Sequence, residues 1–149
     1  MTIRQATAAD LPAILKLIAD DPLGKTREAQ ADEHAAYQAA FAAIAADPNN
    51  LAVVMEEAGI LVGYFQLTFI PGLSRRGAWR GQIESVRIAT SCRNRGYGEA
   101  MMRWAIEECR RRGCTLVQLT TDKRRPAAHR FYERLGFIAS HEGMKLDLT

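Results

Sequence analysis

The spacing of apolar residues divides the first half of the chain into two predicted helices and a hairpin. Four apolar residues near the amino end recur at three- and four-residue intervals: Leu11, Ile14, Leu15 and Ile18. This spacing predicts a first helix over residues 8–20, introduced by Thr7, and an alanine-rich stretch predicts a second helix over residues 28–46. Residues 51–55 and 60–70 are rich in β-branched and aromatic side chains and flank a glycine-containing turn. They predict the two strands of a hairpin.

The second half of the chain predicts strands and helices in alternation. Two-residue alternation predicts a strand over residues 82–89, and apolar residues at inward helical spacing predict a long helix over residues 96–112. A strand over residues 115–121, a short helix over residues 126–136 and one or two final strands within residues 137–148 complete the order. This order of elements predicts an α/β fold, in which helices pack on the faces of a mixed sheet.

Length and composition narrow the class of protein. A chain of 149 residues has room for one domain, so we expect a single domain over residues 1–149 with one active site. No run of residues is apolar and long enough to predict a membrane span, and the spacing of the 3 cysteines predicts neither a disulfide framework nor a zinc site. We therefore expect a cytoplasmic protein with reduced thiols, no bound metal and no membrane partner.

Positive charge is concentrated in the second half of the chain. Residues 75–134 contain 15 Lys or Arg and 6 Asp or Glu, although the whole chain carries a net charge of only +3. Such a segment favours an anionic partner: a phosphorylated cofactor, a nucleic acid or an acidic substrate. A solvated basic helix face is the alternative interpretation. Because the long helix that carries many of these arginines must also pack, we expect no nucleic-acid partner.

A glycine-containing turn, Arg93-Asn94-Arg95-Gly96-Tyr97-Gly98, lies between a predicted strand and a predicted helix. Unpaired N–H groups and the helix dipole favour an anion there, and the two glycines let a phosphate approach the backbone. Pyrophosphate is the natural candidate, and a tight turn without a ligand is the alternative. Two familiar phosphate loops are excluded. Met101 replaces the third glycine of a dinucleotide fingerprint, and Ala78-Trp79 replace the Lys and Ser or Thr of a triphosphate loop.

Two segments carry a resemblance to a known family. Val86-Arg87-Ile88, followed by residues 93–100, resembles the acetyl-CoA signature of the GNAT superfamily of N-acetyltransferases. Leu119-Thr120-Thr121 and residues 127–137 resemble the later strand of that family and its Ala-x-x-Phe-Tyr-x-x-x-Gly-Phe segment. The resemblance implies a mixed, mostly antiparallel sheet of six to seven strands with about four helices on both faces. It also implies acetyl-CoA as the cosubstrate, and a homodimer as one form of assembly.

The resemblance also assigns contacts to the cofactor. Main-chain groups of Val86 and Ile88 would bond the pantetheine arm as though it were an extra strand, and Thr121 would contact the cofactor after the later strand. The residues expected around the pyrophosphate follow one another in the chain: Arg93, Asn94, Arg95, Gly96, Tyr97, Gly98 and Glu99. Asp122 stands where many members have an Asn that contacts pantetheine, and whether it replaces that contact stays open.

Acetyl transfer to an amine needs a base and, for the departing thiolate, a proton donor. Glu84 is the candidate base, acting directly or through a water, and the two-residue period of a strand places it on one face with Val86 and Ile88. A substrate-binding or a purely structural glutamate are the alternatives. The resemblance assigns Tyr132 as the donor to the CoA sulfur. An aromatic packing residue beside Phe131 is the alternative role for Tyr132.

The acceptor is less clearly encoded than the cofactor. The loop before the fourth predicted strand and the early helices hold the candidate residues: Arg75, Arg76, Trp79 and Arg80, with Glu33, His34 and Tyr37. Arginines bind carboxylates, phosphonates and phosphates by paired hydrogen bonds, so we expect a small primary amine that carries an anionic group. The pattern Ile83-Glu84-Ser85-Val86, together with Thr121 and His129-Arg130-Phe131-Tyr132, is also similar to bacterial aminoalkylphosphonate N-acetyltransferases. Acetylation of peptide or protein amines, with Glu56 and Glu57 in the site, and a CoA-binding module without turnover are the alternatives.

Overall fold

A mixed sheet forms the centre of the computed structural model, which describes residues 1–20 and 34–149. Its strands within these residues are β1 (Thr2–Gln5), β2 (Asn50–Glu57), β3 (Ile60–Pro71), β4 (Trp79–Ile88) and β5 (Cys114–Leu119). The helices of nine or more residues are α1 (Leu11–Ala19), α2 (His34–Ala46), α3 (Tyr97–Arg111) and α4 (Pro126–Arg134). Short 3-10 turns at Ala8–Asp10 and Thr90–Cys92 precede α1 and α3. No described helix is both apolar and long enough to cross a membrane.

The strands lie in the order in which they occur in the chain, β1-β2-β3-β4-β5. All neighbouring strands are antiparallel except β4 and β5, which are parallel because α3 crosses over between them. This confirms the mixed, mostly antiparallel sheet. The expected count of six to seven strands is wrong for the described residues, which form 5. Residues 138–149 lie exposed and form no strand, whereas β1 was not predicted from the sequence.

Residues of β2 and β3 contribute side chains to two separate hydrophobic cores, one on each face of the sheet, because successive side chains of a strand point to opposite faces. One core joins the sheet to α3 and α4 and includes Val53, Met55, Phe65, Leu67, Ile83, Met101 and Ala105. The other joins the sheet to α1 and α2 and includes Ile14, Ala52, Val54 and Tyr64, with Phe41 and Ile44 packed against them. The sheet is therefore covered on both faces, and the hairpin predicted from residues 51–70 forms its centre.

The start of α1 is fixed by a buried carboxylate. The backbone N–H of Thr7 donates to Asp10 at 2.7 Å, and the guanidinium of Arg4 donates to the same carboxylate at 2.8 Å and 3.0 Å. These bonds lower the pKa of Asp10 from 3.8 to about 2, with the Arg4 hydrogen bond as the largest cause. The predicted first helix is confirmed. The second helix is confirmed from His34 onward, and residues 28–33 of that prediction lie outside the described residues.

A close approach between α3 and β3 sets the position of the long helix. A β-carbon added at Gly63 would lie 2.6 Å from the sulfur of Met101. The missing side chain therefore lets α3 pack directly on the sheet, with Met101, Met102, Ala105 and Cys109 buried against it. This contact fixes where the amino end of α3, and the turn before it, stand relative to β4.

Candidate active site

The parallel strands β4 and β5 separate partway along their length. Ile83 and Leu119 are the last paired residues, and β4 continues to Ile88 while β5 ends. The β5-facing edge of residues 84–88 is therefore without a paired strand in the described part of the chain. Val86 and Ile88 lie on this stretch, where an extended ligand could bond their main-chain groups as an added strand.

A β-bulge at Ser85 reverses the alternation of β4 at this opening. Ser85 has a φ of 57°, and the partners on β3 step from Gln66, opposite Glu84, to Tyr64, opposite Arg87. The step of two residues from Gln66 to Tyr64 on β3 is matched by a step of three residues from Glu84 to Arg87 on β4. Side chains of β4 after the bulge therefore change face. Glu84 shares a face with Arg87, whereas Ile88 faces the other core. The predicted common face of Glu84, Val86 and Ile88 is wrong for this reason.

Glu84 lies exposed on the face that α1 and α2 cover. Its carboxylate accepts a hydrogen bond from Nε2 of Gln82 at 2.8 Å, and the oxygen of Gln82 accepts one from Gln118 at 2.8 Å. Burial raises the pKa of Tyr64 to about 12; the charge of Glu84 adds to this shift and Arg87 opposes it. Within residues 1–20 and 34–149, no Lys or Arg forms an ion pair with Glu84.

Main-chain geometry at the glycine turn suits an anion. Asn94 and Gly96 have φ values of 61° and 80°, and a β-carbon at Gly96 would meet nothing within 4 Å. The first backbone bond of α3 runs from Ala100 to the carbonyl of Gly96. The amides of Tyr97, Gly98 and Glu99 consequently have no carbonyl one turn earlier in the helix. Successive free amides at a helix start form a concavity that binds phosphate groups.

Several side chains around this turn form ion pairs or hydrogen bonds with neighbouring residues. Arg95 lies 3.9 Å from Glu57 and stacks over the ring of Tyr97 at 5.1 Å. A hydrogen bond to Glu57 is the largest cause that raises the pKa of the Tyr97 hydroxyl. The carboxylate of Glu99 accepts from Arg103 at 2.6 Å. The exposed Arg93 makes no ion pair with any described residue, so no described carboxylate competes with a phosphate for its guanidinium.

Gly98 also has a packing role that the sequence analysis did not predict. A β-carbon at this position would lie 3.3 Å from the ring of Phe131 in α4. The absent side chain therefore permits the close packing of α4 against the start of α3. Of the two glycines, Gly96 supplies the left-handed turn and Gly98 supplies the helix contact.

Tyr132 lies on α4, half-buried against the core that α3 and α4 cover. Its ring packs edge-on to Phe131 at 5.1 Å and to Phe137 at 5.9 Å. Burial raises the pKa of Tyr132, while Arg125 and Arg87 lower it by smaller amounts. A raised pKa keeps the hydroxyl protonated at neutral pH, as a proton donor must be.

Thr121 and Asp122 follow the end of β5 and border the same opening, and both are half-buried. Asp122 is occupied by its own turn, because its carboxylate accepts from the backbone N–H of Arg124 at 2.9 Å and from the guanidinium of Arg124 at 2.7 Å. These bonds hold the pKa of Asp122 well below its usual range. The carboxylate thus stabilises the loop that leads into α4.

The candidate acceptor residues are distributed over two places. Arg75 and Arg76 lie exposed on a left-handed turn, with φ values of 54° and 62°, beyond the end of β3. Arg80 lies opposite Ile70 within the sheet and, by the two-residue period, shares a face with Glu84. Arg80 is exposed and makes no ion pair or hydrogen bond with a described residue. The structure therefore brings Arg80 to the face of Glu84, about 13 Å along the strand, and leaves the turn arginines farther away.

The remaining acceptor candidates are placed less centrally. Trp79 begins β4 and is 37% exposed, and His34 and Tyr37 lie in the first turns of α2. Glu33 lies outside the described residues. Among residues 1–20 and 34–149, no three His, Cys, Asp or Glu side chains are grouped to hold a metal ion.

Polar side chains form a continuous group on the face of Glu84 that the sequence analysis did not single out. They are Asn50, Gln66, Thr68, Gln82 and Gln118. Asn50 accepts from Thr68 at 2.8 Å and from Gln66 at 3.1 Å, and Gln118 donates to Gln82. This polar sheet face could have been found from the polar residues that alternate with Leu67, Ile83 and Val117 along the strands. It can bind hydroxyl, amine or anionic groups of a substrate.

Residues 11–137 match the model of the acetyltransferase (GNAT) family. The chain belongs to the GNAT family. It is 32% identical over 139 residues, 93% of this chain and 86% of the relative, to an aminoalkylphosphonate N-acetyltransferase of Salmonella typhimurium. It is 38% identical over 91 residues, 60% of this chain and 59% of the relative, to a glucosamine 6-phosphate N-acetyltransferase of Trypanosoma brucei brucei.

One solved structure is similar over nearly the whole chain. A protein described as a transcriptional regulator from Bacillus halodurans C-125 has a TM-score of 0.94 and 47% identity, with 99% of each chain covered. With the family match and the N-acetyltransferase relatives, the resemblance noted in the sequence is confirmed, and the GNAT protein described here is an acetyl-CoA-dependent N-acetyltransferase.

Proposed function

We propose that this GNAT protein transfers the acetyl group of acetyl-CoA to the primary amine of a small molecule that also carries an anionic group. The observation that carries the proposal is the opening between β4 and β5, with Glu84 on one face of the sheet and Tyr132 on the other. A thioester held in that opening would have a base on its acceptor side and a proton donor on its sulfur side.

The residues around the opening fit acetyl-CoA, which supplies the activated acetyl group when bound. The amides of residues 97–99 and the charge of Arg93 would hold the diphosphate at the start of α3. The unpaired edge of β4 at Val86 and Ile88 would bond the pantetheine amides. Because most of these contacts come from the main chain, they depend on backbone conformation more than on side-chain identity.

Glu84 would accept the proton of the attacking amine. An alkylamine with a pKa of ~10.4 is neutral in only about one molecule in a few thousand at pH 7, so removal of a proton limits direct attack. Gln82 holds the carboxylate through the 2.8 Å hydrogen bond and leaves its other oxygen accessible. Tyr132, kept protonated by burial, would donate to the departing sulfur.

The acceptor class follows from the polar sheet face and Arg80. A guanidinium on the face of Glu84, with no partner among the described residues, suits a carboxylate, phosphonate or phosphate. Two relatives are named for acceptors that combine an amine with a phosphorus oxyanion. A peptide acceptor is less well supported, because Glu56 is bound by Arg4 at 3.2 Å and Glu57 lies beside Arg95.

A thiol-release assay with acetyl-CoA and a panel of amines tests the proposal. We expect Glu84→Gln to lower kcat by about 100-fold or more with the acetyl-CoA Kd unchanged, which is the size typical of a lost general base. Glu107→Gln, an exposed glutamate on α3, is the matched control and should keep full activity. Full activity of Glu84→Gln would exclude Glu84 as the base.

Tyr132→Phe separates donation from packing, because phenylalanine keeps the ring contacts with Phe131 and Phe137. We expect kcat to fall and thermal stability to change little. Unchanged kcat would assign Tyr132 to packing alone.

The role of Arg80 is tested by paired substrates. Arg80→Ala should raise the KM for aminomethylphosphonate about tenfold and change the KM for ethanolamine little, as expected for loss of one charged hydrogen-bonding partner. Arg110→Ala on the far side of α3 is the control. Equal effects of Arg80→Ala on both amines would exclude Arg80 from the acceptor site.

A protein that binds acetyl-CoA yet releases no thiol with any amine would instead be a binding module.

Nucleic-acid binding is the competing function, because one similar structure is described as a transcriptional regulator. The arginines of α3 argue against it, since Arg103, Arg110 and Arg111 are each paired with a glutamate three or four residues away. Their charges are thus largely balanced. Salt-sensitive binding to duplex DNA would support the competing function.

We propose that residues 1–149 form one domain and that the protein acts in the cytoplasm, where the thiols of Cys92, Cys109 and Cys114 stay reduced. We propose that the protein acts without a membrane partner.

A further inference from the structure

The glycine turn before α3 is not held in place by burial. Residues 93–96 are all exposed, and two of them, Asn94 and Gly96, have φ values in the left-handed region, 61° and 80°. An exposed turn with left-handed residues keeps one conformation where neighbouring groups hold its ends. In this protein a carboxylate from a distant part of the chain lies at each end of the turn.

Asp20 lies at the start of the turn. The hydroxyl of Thr90 donates a hydrogen bond to the carboxylate of Asp20 at 2.6 Å, across 70 residues of sequence. The carbonyl of Thr90 accepts a bond from the backbone N–H of Arg93 at 3.5 Å, so the position of Thr90 sets the first residue of the turn. Asp20 is also the C-cap of α1, where the helix dipole disfavours a negative charge. The carboxylate therefore contributes to the contact with Thr90 and not to the stability of α1.

Glu57 lies at the end of the turn. It follows Val53 and Met55 by the two-residue period of β2, which places it on the face of the sheet that α3 covers. Its carboxylate lies 3.9 Å from the guanidinium of Arg95 and interacts with the hydroxyl of Tyr97. The guanidinium of Arg95 stacks over the ring of Tyr97 at 5.1 Å, and Tyr97 is the first residue of α3. Glu57 thus joins the side chains on both sides of the left-handed glycine.

Charge alone gives the opposite expectation for these two carboxylates. A negative group near a diphosphate repels it, so loss of the charge would tighten cofactor binding. Asp20 is exposed and the side chain of Glu57 is 38% exposed, so water and salt screen this repulsion. The contacts with Thr90, Arg95 and Tyr97 act at short range and keep their effect on the turn.

We propose that Asp20 and Glu57 are positioning residues for the cofactor, which keep the glycine turn in the conformation that receives the diphosphate. Asp20 acts through Thr90, and Glu57 acts through Arg95 and Tyr97. The inference rests on the proposed function, which places the diphosphate at this turn.

Isothermal titration calorimetry with acetyl-CoA separates the contact from the charge. Asp20→Ala and Glu57→Ala remove the accepting oxygen, and each should raise the Kd about three- to fivefold, the size expected for one exposed hydrogen bond. Asp20→Asn and Glu57→Gln lose the charge and keep an oxygen that can accept, so their Kd should stay within twofold of that of the natural protein.

Glu56→Ala is the matched control for Glu57→Ala. Glu56 is the neighbouring residue of β2, accepts a hydrogen bond from Arg4 at 3.2 Å and carries the same charge. Its loss should leave the Kd for acetyl-CoA unchanged. A higher Kd in Glu57→Ala, with a Tm no lower than that of Glu56→Ala, identifies a local effect on the turn and excludes general destabilisation.

A double-mutant cycle tests the path from Asp20 to the turn. Thr90→Val removes the donating hydroxyl and should raise the Kd as much as Asp20→Ala does. The double variant should bind acetyl-CoA no more weakly than either single variant, because both substitutions remove the same contact. Additive losses would show that Asp20 does not act through Thr90 and would overturn its assignment.

Two results would overturn the inference as a whole. Alanine variants that bind acetyl-CoA as tightly as the natural protein, or more tightly, would show that the two carboxylates only repel the cofactor. Amide variants as weak as the alanine variants would show that the contact does not position the turn. Both results leave the proposed function intact, whereas a natural protein that binds no acetyl-CoA would refute the proposed function together with the inference.

Discussion

The role of the turn before α3 can be tested by adding one methyl group at Gly96. The φ of 80° lies in the left-handed region, and a β-carbon there would meet nothing within 4 Å, so Gly96→Ala introduces backbone strain without a steric clash. This strain amounts to about 1–2 kcal/mol. An exposed turn can release it by leaving the left-handed region, which moves the amides of residues 97–99.

Restoring the turn when the cofactor binds would then cost about the same 1–2 kcal/mol. We therefore expect the Kd for acetyl-CoA to rise about 5- to 30-fold in Gly96→Ala, measured by isothermal titration calorimetry. Gly113→Ala is a close control. Gly113 follows the other end of α3, has a φ of 83° and also meets nothing within 4 Å.

The control variant should lose about as much thermal stability as Gly96→Ala, roughly 2–8 °C in Tm, and keep its affinity for acetyl-CoA. If the two variants bind acetyl-CoA with Kd values within twofold of each other, the turn does not hold the cofactor. In that case the family assignment would stand, and the diphosphate would have to be bound elsewhere.

Three further predictions concern stability and thiol reactivity. Asp10→Asn should lower the free energy of unfolding by about 1–2 kcal/mol at pH 7, because the pKa of Asp10 is lowered to about 2 in the folded protein and its partner Arg4 is partly exposed. Stability from the ionised carboxylate is complete above the unfolded pKa of 3.8 and is lost as the pH falls through 2, so urea titrations should show the difference shrinking below pH 4. Burial raises the pKa of Cys109 to about 12, so this thiol should react with maleimide only upon unfolding, as mass spectrometry would reveal. Gly63→Ala should destabilise the protein by about 1–3 kcal/mol in thermal unfolding, since the new methyl group would displace Met101; an unchanged Tm would show that α3 moves away without cost.

Much of the fold could be predicted because local signals and packing agree. The spacing of Leu11, Ile14 and Ile18 marks a helix that packs on the sheet, and the glycine turn leads into α3 as expected. β1 was missed because its 4 residues contain a single large apolar side chain, Ile3. β1 is a strand because it pairs with β2, which is distant in the sequence. A pattern of 4 residues does not predict such a pairing.

The candidate site was harder to predict than the fold. Nothing in Glu84-Ser85-Val86-Arg87 interrupts a strand pattern, yet the bulge at Ser85 exchanges the faces of the residues that follow it. The grouping of Arg87 with Glu84 depends on that single backbone conformation. The final segment shows the opposite problem, because alternation at Met144, Leu146 and Leu148 predicts a strand, whereas residues 138–149 form none in the structure.

The separation of β4 from β5 has a kinetic consequence. Because the strands part after Ile83 and Leu119, the proposed site would let an acetyl donor and an amine approach from opposite faces of the sheet. Both reactants could then be bound at the same time, before any product is released. Initial velocities measured against both reactants should then give double-reciprocal lines that intersect, as in a sequential mechanism, whereas parallel lines would indicate an acetylated enzyme.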